Sequence, residues 1–115
     1  MSDSIKRLEK ILQCIEDIDF IISRDDLKIT HVIENKVLKP AIRMNIIRIA
    51  EQFNRLKDDN AFEILEHFSG KDLKGISAVR NYIAHDYDST DDQIIEDVVR
   101  YNLPLLKETI LRIIS

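Results

Sequence analysis

A chain of 115 residues is long enough for one compact domain, spanning 1–115, and too short for two ordinary ones. Its 44% hydrophobic and 33% charged residues, with only two Gly and two Pro, are rich in helix formers and poor in turn formers, which argues against a β-sandwich. The net charge of −4 argues against coating nucleic acid through a broad basic surface, since that mode neutralises many phosphates; a local site stays open.

No apolar run approaches the roughly 20 residues of a membrane span. Met1-Ser2-Asp3-Ser4 opens a charged amphipathic segment instead of a signal peptide, so no membrane association and a cytoplasmic location are expected. The lone Cys14 has no intrachain disulfide partner and falls on an apolar stripe, as a buried thiol in a reducing compartment would.

Ile5, Leu8, Ile11, Leu12, Ile15, Ile18 and Ile22 recur at helical steps and predict a first helix from about Asp3 to Ile22. Leu27, Ile29, Val32 and Ile33 form a weaker pattern that suggests a short helix. Pro40 stands where a helix start tolerates proline. The long helix after it runs to about Lys57, with Ala41, Met44, Ile47, Ala50, Phe53 and Leu56 spaced by three and Ile42, Ile46 and Ile49 widening the stripe. Asn60 is placed to cap a short helix through Phe62, Leu65 and Phe68, and Gly70 to end it in a left-handed conformation. Asp72 to about Asp86 forms the next helix, with Leu73, Ile76, Val79 and Ile83 on one face. Thr90 and Gln93 have the spacing of a capping box for a last helix through Ile94, Ile95, Val98, Leu105, Leu106, Ile110 and Ile113. Pro104 should kink or split that helix near Asn102. The sum is an all-α, up-and-down bundle of about five helices.

At about 100° per residue, Ser77, Arg80, Asn81 and His85 share an arc of roughly 140° opposite Val79 and Ile83. Asn81 and His85 are one turn apart. Arg80 and His85 lie at the edges of the arc, roughly 7.5 Å apart along the axis, so one straight helix does not easily focus both on one atom. They converge on a phosphate if the helix distorts near His85, or if a second copy presents the same stripe across a twofold axis, the arrangement preferred here. The chemistry such residues support is transfer at an RNA phosphodiester. A neutral imidazole takes the 2′-hydroxyl proton and a guanidinium stabilises charge on the phosphorus oxygens. No metal or other cofactor is expected: neither H-E-x-x-H nor paired C-x-x-C spacing is present. Arg, Asn and His on an outer face are equally what a merely solvated face displays, and spacing alone does not separate the two readings.

The run Arg80-Asn81-Tyr82-Ile83-Ala84-His85-Asp86-Tyr87 has the form R-x4-H-x-Y with Asn after the Arg. It resembles the signature of the HepT-like toxins of the HEPN superfamily. The likeness extends to Ala41-Ile42-Arg43-Met44-Asn45 leading into Ile49-Ala50-Glu51, to Ile76-Ser77-Ala78-Val79, and to Asn102-Leu103-Pro104-Leu105-Leu106-Lys107, so it covers nearly the whole chain. Met44 departs from a frequent Arg, and Leu73 stands where Trp is frequent; neither touches the motif.

The resemblance implies a HEPN-like bundle that forms homodimers, in which two R-x4-H motifs build one composite cleft. It implies a metal-independent endoribonuclease toxin that leaves cyclic phosphate ends on its RNA substrate. By the same resemblance Arg80 and His85 are the catalytic pair and Asn81 a supporting polar residue. A minimal nucleotidyltransferase antitoxin is implied as partner, silencing the toxin by moving AMP from ATP onto Tyr87.

His31 and His67 fall on weakly patterned segments and are assigned nothing. Asp86 and Asp88 flank His85 and Tyr87, either orienting the imidazole or ending the helix in solvent. Asp88, Asp91 and Asp92 open a helix, where acids favour the dipole, so capping is simpler than metal binding. Glu51 has no partner that can be named from sequence. Two other functional classes stand beside the toxin: a non-catalytic nucleotide- or substrate-binding subunit of a two-component nucleotidyltransferase, and a helical assembly module whose polar stripe is only solvated.

Overall fold

Leu8, Ile11, Ile15 and Ile18 are fully buried along one side of α1, Ser2–Ser23, because steps of three and four keep them on one face of a 3.6-residue helix. Ile5, Leu12 and Ile22 pack at the margins. Cys14 is buried beside this row, as expected, and desolvation holds its thiol above the ordinary range, outweighing the nearby Arg48 cation. The computed structural model describes residues 2–23, 35–85 and 92–115. The expected short helix over Leu27 to Ile33, with His31, lies outside the described residues.

Asn35 initiates the next helix. Its Oδ1 accepts from the backbone N–H groups of Val37 and Leu38, at 2.8 and 3.0 Å. α2 then spans Leu38–Asp58, with Pro40 in its first turn, where the missing N–H is harmless. The buried stripe of α2 is Ile42, Ile46, Ile49, Phe53 and Leu56, whereas Ala41 and Met44 are exposed. This corrects the row spaced by three: each step of three falls about 60° short of a full turn, so such a row winds off any one face. The alternation of four and three stays in register. Arg43 and Asn45 are buried on α2 as well, which apolar patterning does not reveal.

Asn60 and Gly70 act differently from expectation. Asn60 has φ 58° and terminates α2. Its N–H donates to the Lys57 carbonyl and the N–H of Ala61 to the Leu56 carbonyl, the paired bonds of a Schellman motif. Asn tolerates the left-handed region through its short polar side chain. α3 is a single turn, Phe62–Leu65. Gly70 has no positive φ and is the first residue of α4, Gly70–His85. The capping residue there is Ser69, whose Oγ accepts from the N–H groups of Lys71 and Asp72 at 3.1 and 3.4 Å. Ser69→Ala should therefore cost about 1 kcal/mol, read as a drop in Tm of roughly 4–8 °C in thermal unfolding; an unchanged Tm would remove Ser69 from that role.

The last helix is split, as Pro104 predicts. α5, Asp92–Asp97, runs into a π-helical turn over Val98–Asn102, and α6, Leu103–Ile114, carries Pro104 near its start. The wider π turn accommodates the carbonyls that a proline leaves without an N–H donor. Thr90 of the expected capping box lies outside the described residues.

The helices close in an up-and-down ring. Arg7 Nε on α1 reaches Asp59 beyond the end of α2 at 3.0 Å, so α1 and α2 are antiparallel. Asn102 Nδ2 meets Asp72 Oδ1 at 3.5 Å, tying the π turn to the start of α4. Lys107 on α6 pairs with Asp19 on α1 at 3.3 Å and completes the circuit. The core at its centre is largely Ile and Leu from all four walls, with Phe68 edge-on to Phe53 at a centroid distance of 5.1 Å. Among the described residues no helix is long and apolar enough to cross a membrane.

Candidate functional site

Ile76, Val79 and Ile83 anchor α4 in the core. That commitment turns Ser77, Arg80, Asn81 and His85 to the outer side, as the periodicity requires: Ser77 and Arg80 are half-buried, Asn81 and His85 exposed. α2 and α4 pack against one another, and the seam between them holds the guanidinium.

Arg80 Nη2 lies 3.8 Å from Glu51 Oε1 on α2, and Nη1 donates to Asn81 Oδ1 at 3.2 Å. Arg80 Nε is enclosed and, among the described residues, has no hydrogen-bond partner. The Glu51 contact is long and its side chains are 32% and 48% exposed, so it orients the guanidinium more than it stabilises the fold. A guanidinium has five N–H donors in a planar fork. Among the described residues this one has two engagements, one of them loose, and the remaining N–H groups suit phosphate oxygens.

His85 is the last residue of α4, and exposed. Among the described residues no hydrogen bond links it to Arg80 or to Asn81; the Asn81 oxygen serves Arg80 instead. Five residues of straight helix separate Arg80 from His85 by roughly 7.5 Å along the axis and 140° around it, so one straight helix does not easily focus both on one atom. Tyr87, Asp86, Asp88 and Asp91 lie outside the described residues.

Beyond the end of α4, Asp92 Oδ1 receives Arg43 Nη2 at 2.9 Å and Lys39 Nζ at 2.8 Å, both from the first half of α2. Asp92 thus anchors the start of α5 on α2, which gives this acid a firmer role than complementing a helix dipole. Among the described residues no three His, Cys, Asp or Glu side chains are grouped to hold a metal ion. His67 is exposed and lines a shallow depression with Thr109, Arg112 and Ile113.

Glu51 and Arg43 are the polar residues sequence reasoning passed over. The signal for Glu51 was present, since it belongs to the stretch of α2 that carried the family resemblance, but its partner is 29 positions away and only helix packing names it. Arg43 sits in a row of isoleucines, where a basic residue reads as the edge of the stripe.

The fold and site define a small antiparallel helical bundle with an open guanidinium in an interhelical seam and an exposed histidine at the end of the same helix. A family model described as ribonuclease HepT-like matches residues 1–113. The chain belongs to the HepT-like ribonuclease family. No curated protein and no solved structure matches it.

Proposed function

We propose that this chain is a metal-independent endoribonuclease, the toxin of a toxin–antitoxin pair, acting as a homodimer. The observation that carries the proposal is the Arg80 guanidinium, aimed by Glu51 and Asn81 along an open seam with donors to spare, in a chain of a ribonuclease family. Arg80 binds the scissile phosphate and stabilises the charge that builds on its oxygens. His85 takes the proton of the ribose 2′-hydroxyl, whose oxygen attacks phosphorus. The bond to the following 5′-oxygen breaks, that oxygen leaves with a proton from the second imidazole of the dimer, and a 2′,3′-cyclic phosphate remains. Two copies are needed because one helix holds Arg80 and His85 too far apart, whereas a twofold axis lets the guanidinium of one copy face the imidazole of the other.

Control by a minimal nucleotidyltransferase antitoxin is part of the proposal and rests on the family resemblance alone. AMP carried by Tyr87, two residues beyond His85, places a phosphate and an adenosine beside the cleft, where they block RNA and compete for Arg80. Tyr87→Phe should leave the toxin active and insensitive to the antitoxin with ATP; neutralisation that persists in this variant would reassign the acceptor. The decisive assay is RNA cleavage in chelator. Wild type should yield cyclic phosphate ends and His85→Ala none, and equal activity of the two would remove the enzyme reading in favour of a binding subunit.

A further inference from the structure

Further along the seam that holds Arg80, α2 and α4 part slightly, and the single turn of α3 closes the space behind them. The result is a depression of about 330 Å³, floored by Phe53, Leu65 and Leu73. Its volume falls at the lower end of the roughly 300–1,000 Å³ of small-ligand sites. Asn54 and Ser77 stand on its wall, each one helical turn from Glu51 and Arg80 respectively. Lys57 and Lys74 complete the lining, six residues or roughly 9 Å of helix axis from the Glu51–Arg80 level.

The two lysines are what identify the occupant. Among the described residues neither is in an ion pair, a state they share with Lys6, Lys10, Lys36, Arg48, Arg55 and Lys71, but they are the two cations that line this depression. Two ammonium groups on the rim of one pocket make it electropositive and complementary to an anion. The floor calls for a flat apolar face, and Asn54 and Ser77 supply both donors and acceptors for a polar edge. A nucleobase with its phosphates has all three properties, and single strands are recognised through unstacked bases seated on apolar and aromatic side chains.

We propose that this depression is a nucleobase subsite, which takes one base of a single-stranded RNA whose backbone runs along the α2–α4 seam between Arg80 and the Lys57–Lys74 pair. The proposal rests on the ribonuclease reading for the direction of the strand, and it makes Lys57 and Lys74 ligands of a phosphate next to the scissile one. It also gives Leu73 a consequence: a larger ring at this position would fill the space that the base occupies.

The test is methyl NMR with a short RNA whose 2′-oxygens are methylated, so that binding is read without cleavage, alongside a strand of the same length built from abasic spacers. The base-bearing strand should shift the methyl resonances of Leu65 and Leu73; the abasic strand, which keeps the phosphates, should not. Leu73→Trp should weaken the base-bearing strand at least tenfold and leave the abasic strand unaffected. Lys57→Ala combined with Lys74→Ala, at exposed positions that folding tolerates, should reduce the slope of log affinity against log salt by about 1.4, some 0.7 for each ammonium group withdrawn from a single strand. RNA that binds with silent Leu65 and Leu73 methyls and an unchanged salt slope overturns the subsite and hands the depression to an apolar side chain of a protein partner. Cleavage by wild type with silent methyls would overturn the subsite alone. Shifted methyls with an inert enzyme would overturn the ribonuclease reading alone, and no RNA binding would overturn both.

Discussion

Arg80→Ala should lower kcat for RNA cleavage by about 10²–10³, the loss that follows when a positioned donor to developing negative charge is removed. The fold should survive, since the side chain is a third exposed and its contacts to Glu51 and Asn81 are loose. Arg80→Lys should recover little, because a compact ammonium cannot reproduce the planar fork that grips two phosphate oxygens at once. Glu51→Gln makes a sharper companion. The carboxylate competes with phosphate for the same Nη2 and also aims the guanidinium, so its neutralisation should lower KM and kcat together. Steady-state kinetics on one RNA at fixed ionic strength separates these outcomes. A wild-type kcat in Arg80→Ala would remove the guanidinium from the chemistry, and a raised KM in Glu51→Gln would mean that the carboxylate assists binding.

The largest effect on stability should come from Asp92. Arg43 is only 2% exposed and its Nη2 rests 2.9 Å from the Asp92 carboxylate. Asp92 is itself 36% exposed, so what its removal takes away is a charge-assisted hydrogen bond to a buried guanidinium, at a cost of about 1.5–3 kcal/mol. Asp92→Ala should therefore lower Tm by roughly 6–12 °C for a domain of this size. Lys39→Ala should cost less than about 1 kcal/mol, because that ammonium is 30% exposed and water takes over its solvation. A Tm within about 2 °C of wild type for Asp92→Ala would show that the interaction with Arg43 contributes little.

The positions of the main helices were legible in the sequence because a side chain's direction on a helix depends only on its place in the 3.6-residue period. Leu8, Ile11, Ile15 and Ile18 could be assigned to the core of α1 without a structure, and so could Ile76, Val79 and Ile83 on α4. For the same reason Ser77, Arg80, Asn81 and His85 could be placed on the outer side of α4 in advance. Pro104 announced a break in the last helix because it has no N–H to give, although not that the break would be a π turn. Helix ends were less legible. Asn60 suits either the start of one helix or the left-handed end of another, and which it becomes depends on whether the Leu56 and Lys57 carbonyls are there to be satisfied.

By itself the sequence determined an all-helical chain, its apolar faces and a motif of Arg, Asn and His along one helix, with Tyr two positions further on in the sequence. Those are local properties, decided by neighbours within a turn or two. The tertiary structure alone decided that Glu51 stands beside Arg80, that Asp92 holds the buried Arg43, and that two lysines from different helices share one depression. Contacts of that kind join residues 17 to 49 positions apart. They depend on the angle and axial offset at which helices pack, which the summed fit of whole apolar faces sets and no single segment encodes.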